Sequence, residues 1–131
     1  MSVRIFISDH FNKSCDEDKI KLLASQFREY KTTGVPPPTF GRDTTYDFPQ
    51  QVKEAGMYHI HIKDKTSTNW HLKKIVFHQT SNTALIYCQG SKNKNCYFLL
   101  GFIERAHETY LENPLYLLEL ADIAERFRNK F

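Results

Sequence analysis

Apolar residues change their period several times along the chain, and each change marks an expected element. Val3, Ile5 and Ile7 alternate with Arg4 and Phe6, the period of two that predicts a short first strand. Ser14 with Glu17 three residues on has the form of a capping box, and Asp16, Glu17 and Asp18 put negative charge at the positive end of a following helix. Ile20, Leu23, Ala24, Phe27 and Tyr30 then recur at helical spacing, a stripe that predicts an amphipathic helix ending at Gly34 and the prolines Pro36 to Pro38.

No period is sustained from Phe40 to Pro49, a segment that includes Phe40-Gly41-Arg42-Asp43, and it is expected to be loop. Three runs rich in aromatic and β-branched residues follow, Tyr58 to Ile62, Ala84 to Cys88 and Cys96 to Ile103, with a shorter apolar piece at Ile75 to Phe77. Asn82 and the stretch Gly90 to Asn95 supply turn residues, so the last strands are expected to form hairpins. Asn113 before Pro114 reads as a capped helix start, with Leu117, Leu120, Ala121, Ala124, Phe127 and Phe131 as its buried face. The order predicts an α+β fold in which an antiparallel sheet is flanked by an amino-terminal and a carboxy-terminal helix. Residues 1–131 are expected to form one domain, since that length suits a single hydrophobic core.

Composition adds limits rather than a mechanism. At 40% hydrophobic and 25% charged residues the chain resembles ordinary soluble proteins, and no apolar run approaches the roughly 20 residues that span a bilayer. The amino terminus lacks a signal-peptide layout, so the expected location is the cytoplasm, with no membrane partner. Cys15, Cys88 and Cys96 contain no C-x-x-C pair and support neither a disulfide framework nor a cysteine zinc site. The net charge of +3 is unevenly placed: six lysines stand against Asp64 between Lys63 and Cys96, giving that stretch +5 and the remainder −2. Such a basic middle suits a phosphate backbone, and equally a set of lysine-protected sheet edges.

The candidate chemistry centres on His59 and His61, two residues apart in Met57 to Ile62. On a strand that spacing directs both imidazoles to one face and Tyr58, Ile60 and Ile62 to the other. The pair is compatible with a polar strand face, with proton transfer or with metal binding. Arg42, Asp43 and His107 become partners if the loop and the end of the last strand fold over the same face. RNA cleavage without a metal needs a base, an acid and a cation at the phosphate, and two imidazoles with an arginine provide them. No third metal ligand is demanded by spacing, and no phosphate-binding glycine loop or Ser/His/Asp order is present.

Phe40 to Asp43 with Tyr46 and Asp47, His59 to Ile62, Leu85 to Gly90, the pair Ala106 and His107, and the closing Ala124 to Phe131 together resemble the YafO family of toxins from bacterial toxin–antitoxin pairs. The resemblance runs from Gly34 to Phe131. It implies a ribosome-dependent mRNA interferase with a RelE-like fold, needing no cofactor, held in check by a YafN-like cognate antitoxin. In the RelE-like group catalytic groups come from middle strands, where His59 and His61 fall, and from the segment after the last strand, where His107 falls. The Lys, Arg and Tyr set of RelE itself has no obvious equivalent here, so roles follow from chemistry. His59 or His61 is the expected base and His107 the acid, with Arg42 and Arg128 on the phosphate and Asp43 beside them. Tyr46 is expected to stack on a base, and Lys63, Lys73, Lys74, Lys92, Lys94 and Arg105 to contact RNA.

Overall fold

The computed structural model describes residues 2–67, 69–73 and 75–131. Strand β1 (Arg4–Ile7) leads to a short helix α1 (Asp9–Ser14) and the long helix α2 (Glu17–Thr33), then β2 (Phe40–Thr45), α3 (Gln50–Glu54) and β3 (Met57–Ile62). Two 3-10 turns, Trp70–Leu72 and Val76–His78, precede β4 (Thr83–Gln89), β5 (Cys96–Ile103), α4 (Ala106–Glu112) and α5 (Leu115–Lys130). The five strands form one sheet in the order β1-β5-β4-β3-β2. All neighbours are antiparallel except β1 and β5, which run parallel at the edge. The α+β architecture is as expected, apart from that one parallel pair.

Alternation along the strands divides the core between the two faces. Leu85, Tyr87, Leu99 and Ile60 join Phe11, Ile20, Leu23 and Phe27 under α1 and α2. Ile86, Cys88, Met57 and Leu100 join Leu117, Leu120, Ala124 and Phe127 under α5. Phe27 and Leu120 are fully buried, and each such side chain contributes about 1.5–3 kcal/mol through burial.

Several local expectations shift. The helix cap is Asp16, whose carboxylate accepts from Lys19 N–H at 2.8 Å, while Ser14 ends α1 and donates to the Phe11 carbonyl. At the far end Gly34 takes φ 80°, and its N–H closes the helix on the Tyr30 carbonyl, a left-handed cap that favours glycine. Asn113 ends α4 and offers no side-chain cap to α5, which starts after Pro114. The apolar piece at Ile75 to Phe77 is an exposed turn rather than strand.

The largest difference is at Phe40 to Thr45, expected to be loop and found as edge strand β2 on β3. Register shifts between Phe40, opposite Ile62, and Asp43, opposite Ile60, so a bulge breaks the alternation that would have revealed the strand. Gly41 lies in that bulge, where a Cβ would collide with the Gln79 carbonyl and approach Trp70 Cη2 to 2.8 Å. The segment is a strand because β3 supplies its partner, not because its composition favours one.

Candidate active site

β3 does place its histidines as the alternation requires. His59 and His61 lie on the α4/α5 face with ring centroids 5.3 Å apart. Tyr58 and Ile60 pack on the α2 face.

The two rings are held differently. His59 stacks on Tyr46 at 4.2 Å, and its Nδ1 is buried with no hydrogen-bond partner among the described residues. Burial, then the neighbouring His61, push its pKa down to about 4, with Arg42 acting in the same direction against Asp43 and Asp47. His59 is therefore a neutral ring at physiological pH. His61 Nδ1 lies 2.9 Å from both the carbonyl oxygen and the amide nitrogen of Ser81. One tautomer donates to that carbonyl and the other accepts from that N–H, so the ring stays in place whichever nitrogen carries the proton. Burial also lowers the pKa of His61, opposed by the Ser81 hydrogen bond and helped by the charges of Arg42 and His107.

Ser81 and its neighbour Asn82 tie the strand to α4. The Asn82 carbonyl accepts from Ala106 N–H at 2.8 Å, its Oδ1 accepts from His107 N–H at 2.8 Å, and its Nδ2 donates to Glu108 at 2.8 Å. Two consecutive residues thus hold the His61 ring and the first turn of the helix carrying His107. The Tyr46 and Tyr110 hydroxyls, 2.6 Å apart, form a second tie between β2's end and α4. His107 itself is exposed in α4, not at a strand terminus, because β5 stops at Ile103.

Arg42 reaches the same region from β2. Its Nε donates to the Phe77 carbonyl at 2.6 Å, its guanidinium sits 4.0 Å from the centre of the Phe77 ring, and its N–H bonds the Gln79 carbonyl. The segment that holds it is anchored by buried Trp70, whose indole N–H donates to the Thr80 carbonyl.

Other expected members lie elsewhere. Asp43 faces the opposite side of the sheet with its register partner Ile60, as directly opposed residues in a ladder do. Its carboxylate accepts from the Tyr30 and Tyr87 hydroxyls, each at 2.8 Å, and pairs with Lys31 at 3.3 Å. Arg128 packs over Gly56 at the start of β3 and donates to the Gln89 carbonyl at 3.1 Å, the far end of the sheet from His61. Tyr46 is buried with His59 against its ring, so no open face remains there for a base. Lys63 and Lys73 are exposed at the histidine end, and Arg105 is exposed just before α4. Lys92 and Lys94 sit in the β4–β5 turn beside Phe131, at the other end. Lys74 falls outside the described residues. Burial pushes the Cys88 thiol up to about 12, leaving it a core residue.

Ser81, Asn82, Tyr110 and Phe77 were not legible as site residues. A serine and an asparagine before a strand signal only a turn, and nothing local in sequence links them to His61 or His107. Among the described residues no three His, Cys, Asp or Glu side chains gather as a metal site. No described helix is long and apolar enough to cross a membrane.

No solved structure matches the chain. The mRNA interferase toxin YafO of Escherichia coli (strain K12) is 25% identical over 134 residues, covering 98% of this chain and 100% of that relative. The family model for toxin YafO of type II toxin–antitoxin systems matches residues 28–129, which include β2, β3, the Ser81–Asn82 tie and α4. The chain belongs to the YafO family of toxins of type II toxin–antitoxin systems.

Proposed function

We propose that this YafO-family mRNA interferase toxin is an endoribonuclease that cuts mRNA on the ribosome by metal-free acid–base catalysis at His61, His107 and Arg42. The observation that carries the reading is the Nδ1 of His61, which finds a hydrogen-bond partner on Ser81 in either tautomer. With Nδ1–H donating to the Ser81 carbonyl, Nε2 presents a lone pair, which is what a general base needs.

Nε2 of His61 takes the proton of a ribose 2′-OH. The 2′-oxygen attacks the adjacent phosphorus while the bond from phosphorus to the 5′-oxygen breaks. His107, entering as the imidazolium, gives its proton to that leaving oxygen. The products are a 2′,3′-cyclic phosphate and a free 5′-hydroxyl, with one proton taken and one returned. Arg42 pairs with the non-bridging oxygens as charge builds on them, its orientation set by Phe77. His59 acts as a positioning residue, a neutral ring packed beside His61. Lys63, Lys73 and Arg105 border this end and suit the RNA backbone. The ribosome supplies the remaining orientation of the mRNA, and the cognate antitoxin suppresses the activity.

Mapping mRNA 5′ ends after induction, with translation running and with it blocked, tests this reading. The expected result is translation-dependent cuts, with 5′-hydroxyl and cyclic phosphate ends that survive a chelator. Cuts that persist without ribosomes contradict the ribosome dependence. Loss of cutting with chelator and its return with a divalent ion contradict the metal-free chemistry.

A further inference from the structure

On the α4/α5 face the five strands, at about 4.8 Å spacing, spread over ~19 Å, while a helix with its side chains is ~10 Å across. One long helix therefore cannot roof the face, and α5 packs over β4 and β5. Beyond it, towards edge strand β1 and α1, a groove of about 670 Å³ remains. Its floor is aromatic, with the Phe127 ring 4.8 Å between ring centres from both Phe98 and Phe131. Lys13, Arg126 and Lys130 stand on its rim against one acid, Asp9. Arg126 is exposed but pairs with Asp122 at 3.2 Å, which leaves Lys13 and Lys130 as the exposed rim cations without an ion-pair partner among the described residues.

A nucleic acid would meet the charges but not the floor, since the rings pack on one another rather than offering open faces for stacking. An amphipathic helix meets both. It would lie beside α5 with aliphatic side chains on the floor and carboxylates towards Lys13 and Lys130. We propose that this groove docks an acidic amphipathic helix of the antitoxin, at a site separate from the histidines. The assignment of the occupant rests on the toxin reading above.

The test uses full-length toxin, the Lys13→Glu/Lys130→Glu double variant, and the antitoxin protein encoded beside the toxin as probe. Both lysines are exposed, so the variant should fold, and a thermal melt checks it. Antitoxin affinity is expected to fall at least about tenfold, with weaker rescue of growth, while cleavage by free toxin stays within about twofold. Lys21→Glu on α2 should leave affinity unchanged. An unchanged affinity in the double variant overturns the proposal, as does loss of ribosome association with antitoxin binding intact. If wild-type toxin binds antitoxin through the groove but cuts no mRNA, the catalytic reading fails and the docking site stands.

Discussion

Arg42 and Asp43 are neighbours on β2, yet they enter two polar clusters on opposite faces of one sheet. On the α2 face the Asp43 carboxylate is matched by two tyrosine hydroxyls and Lys31. The Lys31 ammonium also bonds the Tyr87 hydroxyl and lies 4.4 Å from the centre of the Tyr30 ring. Burial, with the carboxylate next, raises the Tyr87 hydroxyl far above its ordinary range, so it stays a donor. On the other face His59 keeps a nitrogen unmatched among the described residues, His61 can bond its one partner in either tautomer, and Arg42 presses on both rings electrostatically. A completed network fixes structure, whereas an incomplete one leaves groups able to exchange protons.

Four experiments press on that contrast, in falling order of expected effect. His61→Ala should cut the rate of mRNA cleavage by about 10²–10⁴-fold with little change in the urea midpoint; near-wild-type cleavage would remove His61 from the chemistry. Asp43→Ala should do the reverse. It leaves Lys31 facing a gap where both side chains were under one-fifth exposed, and breaking such a pair costs about 3 kcal/mol or more. Urea unfolding measures the loss, and single-turnover cleavage of the folded fraction should change little.

The third experiment uses pH. His59 has a folded pKa of about 4 against an ordinary 6.5, so the unfolded chain binds more protons as pH falls below 6.5. Stability should therefore drop between pH 7 and pH 5 by about 2 kcal/mol from this group, and His61, lowered in the same direction, adds to the drop. Replacing His59 by Gln should flatten the curve in this window. An unchanged slope would mean that the ring is hydrated.

Asn82→Ala is the fourth and smallest. Removing the Oδ1 and Nδ2 bonds to α4 should cost roughly 1 kcal/mol of stability and lower the cleavage rate about tenfold without altering RNA affinity. Aspartate at this position keeps the acceptor for His107 N–H and should recover much of the rate. A parallel loss in affinity would argue that Asn82 contacts RNA instead.

Much of the framework was legible in the chain. The stripe from Ile20 to Tyr30, the runs at β3, β4 and β5, and the apolar face of α5 each carry their own period, because one buried face imposes it on the local sequence. β2 was hidden for a converse reason: its bulge at Gly41 removes the alternation, and its polar residues find partners in α2 and in the segment before β4. The resemblance to the YafO family was also present in residue order, and the family match bears it out.

By itself, the sequence determined that His59 and His61 share a face, since strand geometry turns every second side chain to the same side. Tertiary structure alone decided what meets them there. Pairing of β2 on β3 turned Asp43 to the side of Ile60 and left Arg42 on the side of the imidazoles, the Ser81–Asn82 tie joined His61 to the first turn of the helix that carries His107, and the end of α5 that carries Arg128 was placed at the opposite end of β3. Such encounters depend on pairing between residues 17 to 39 positions apart, which no local period records.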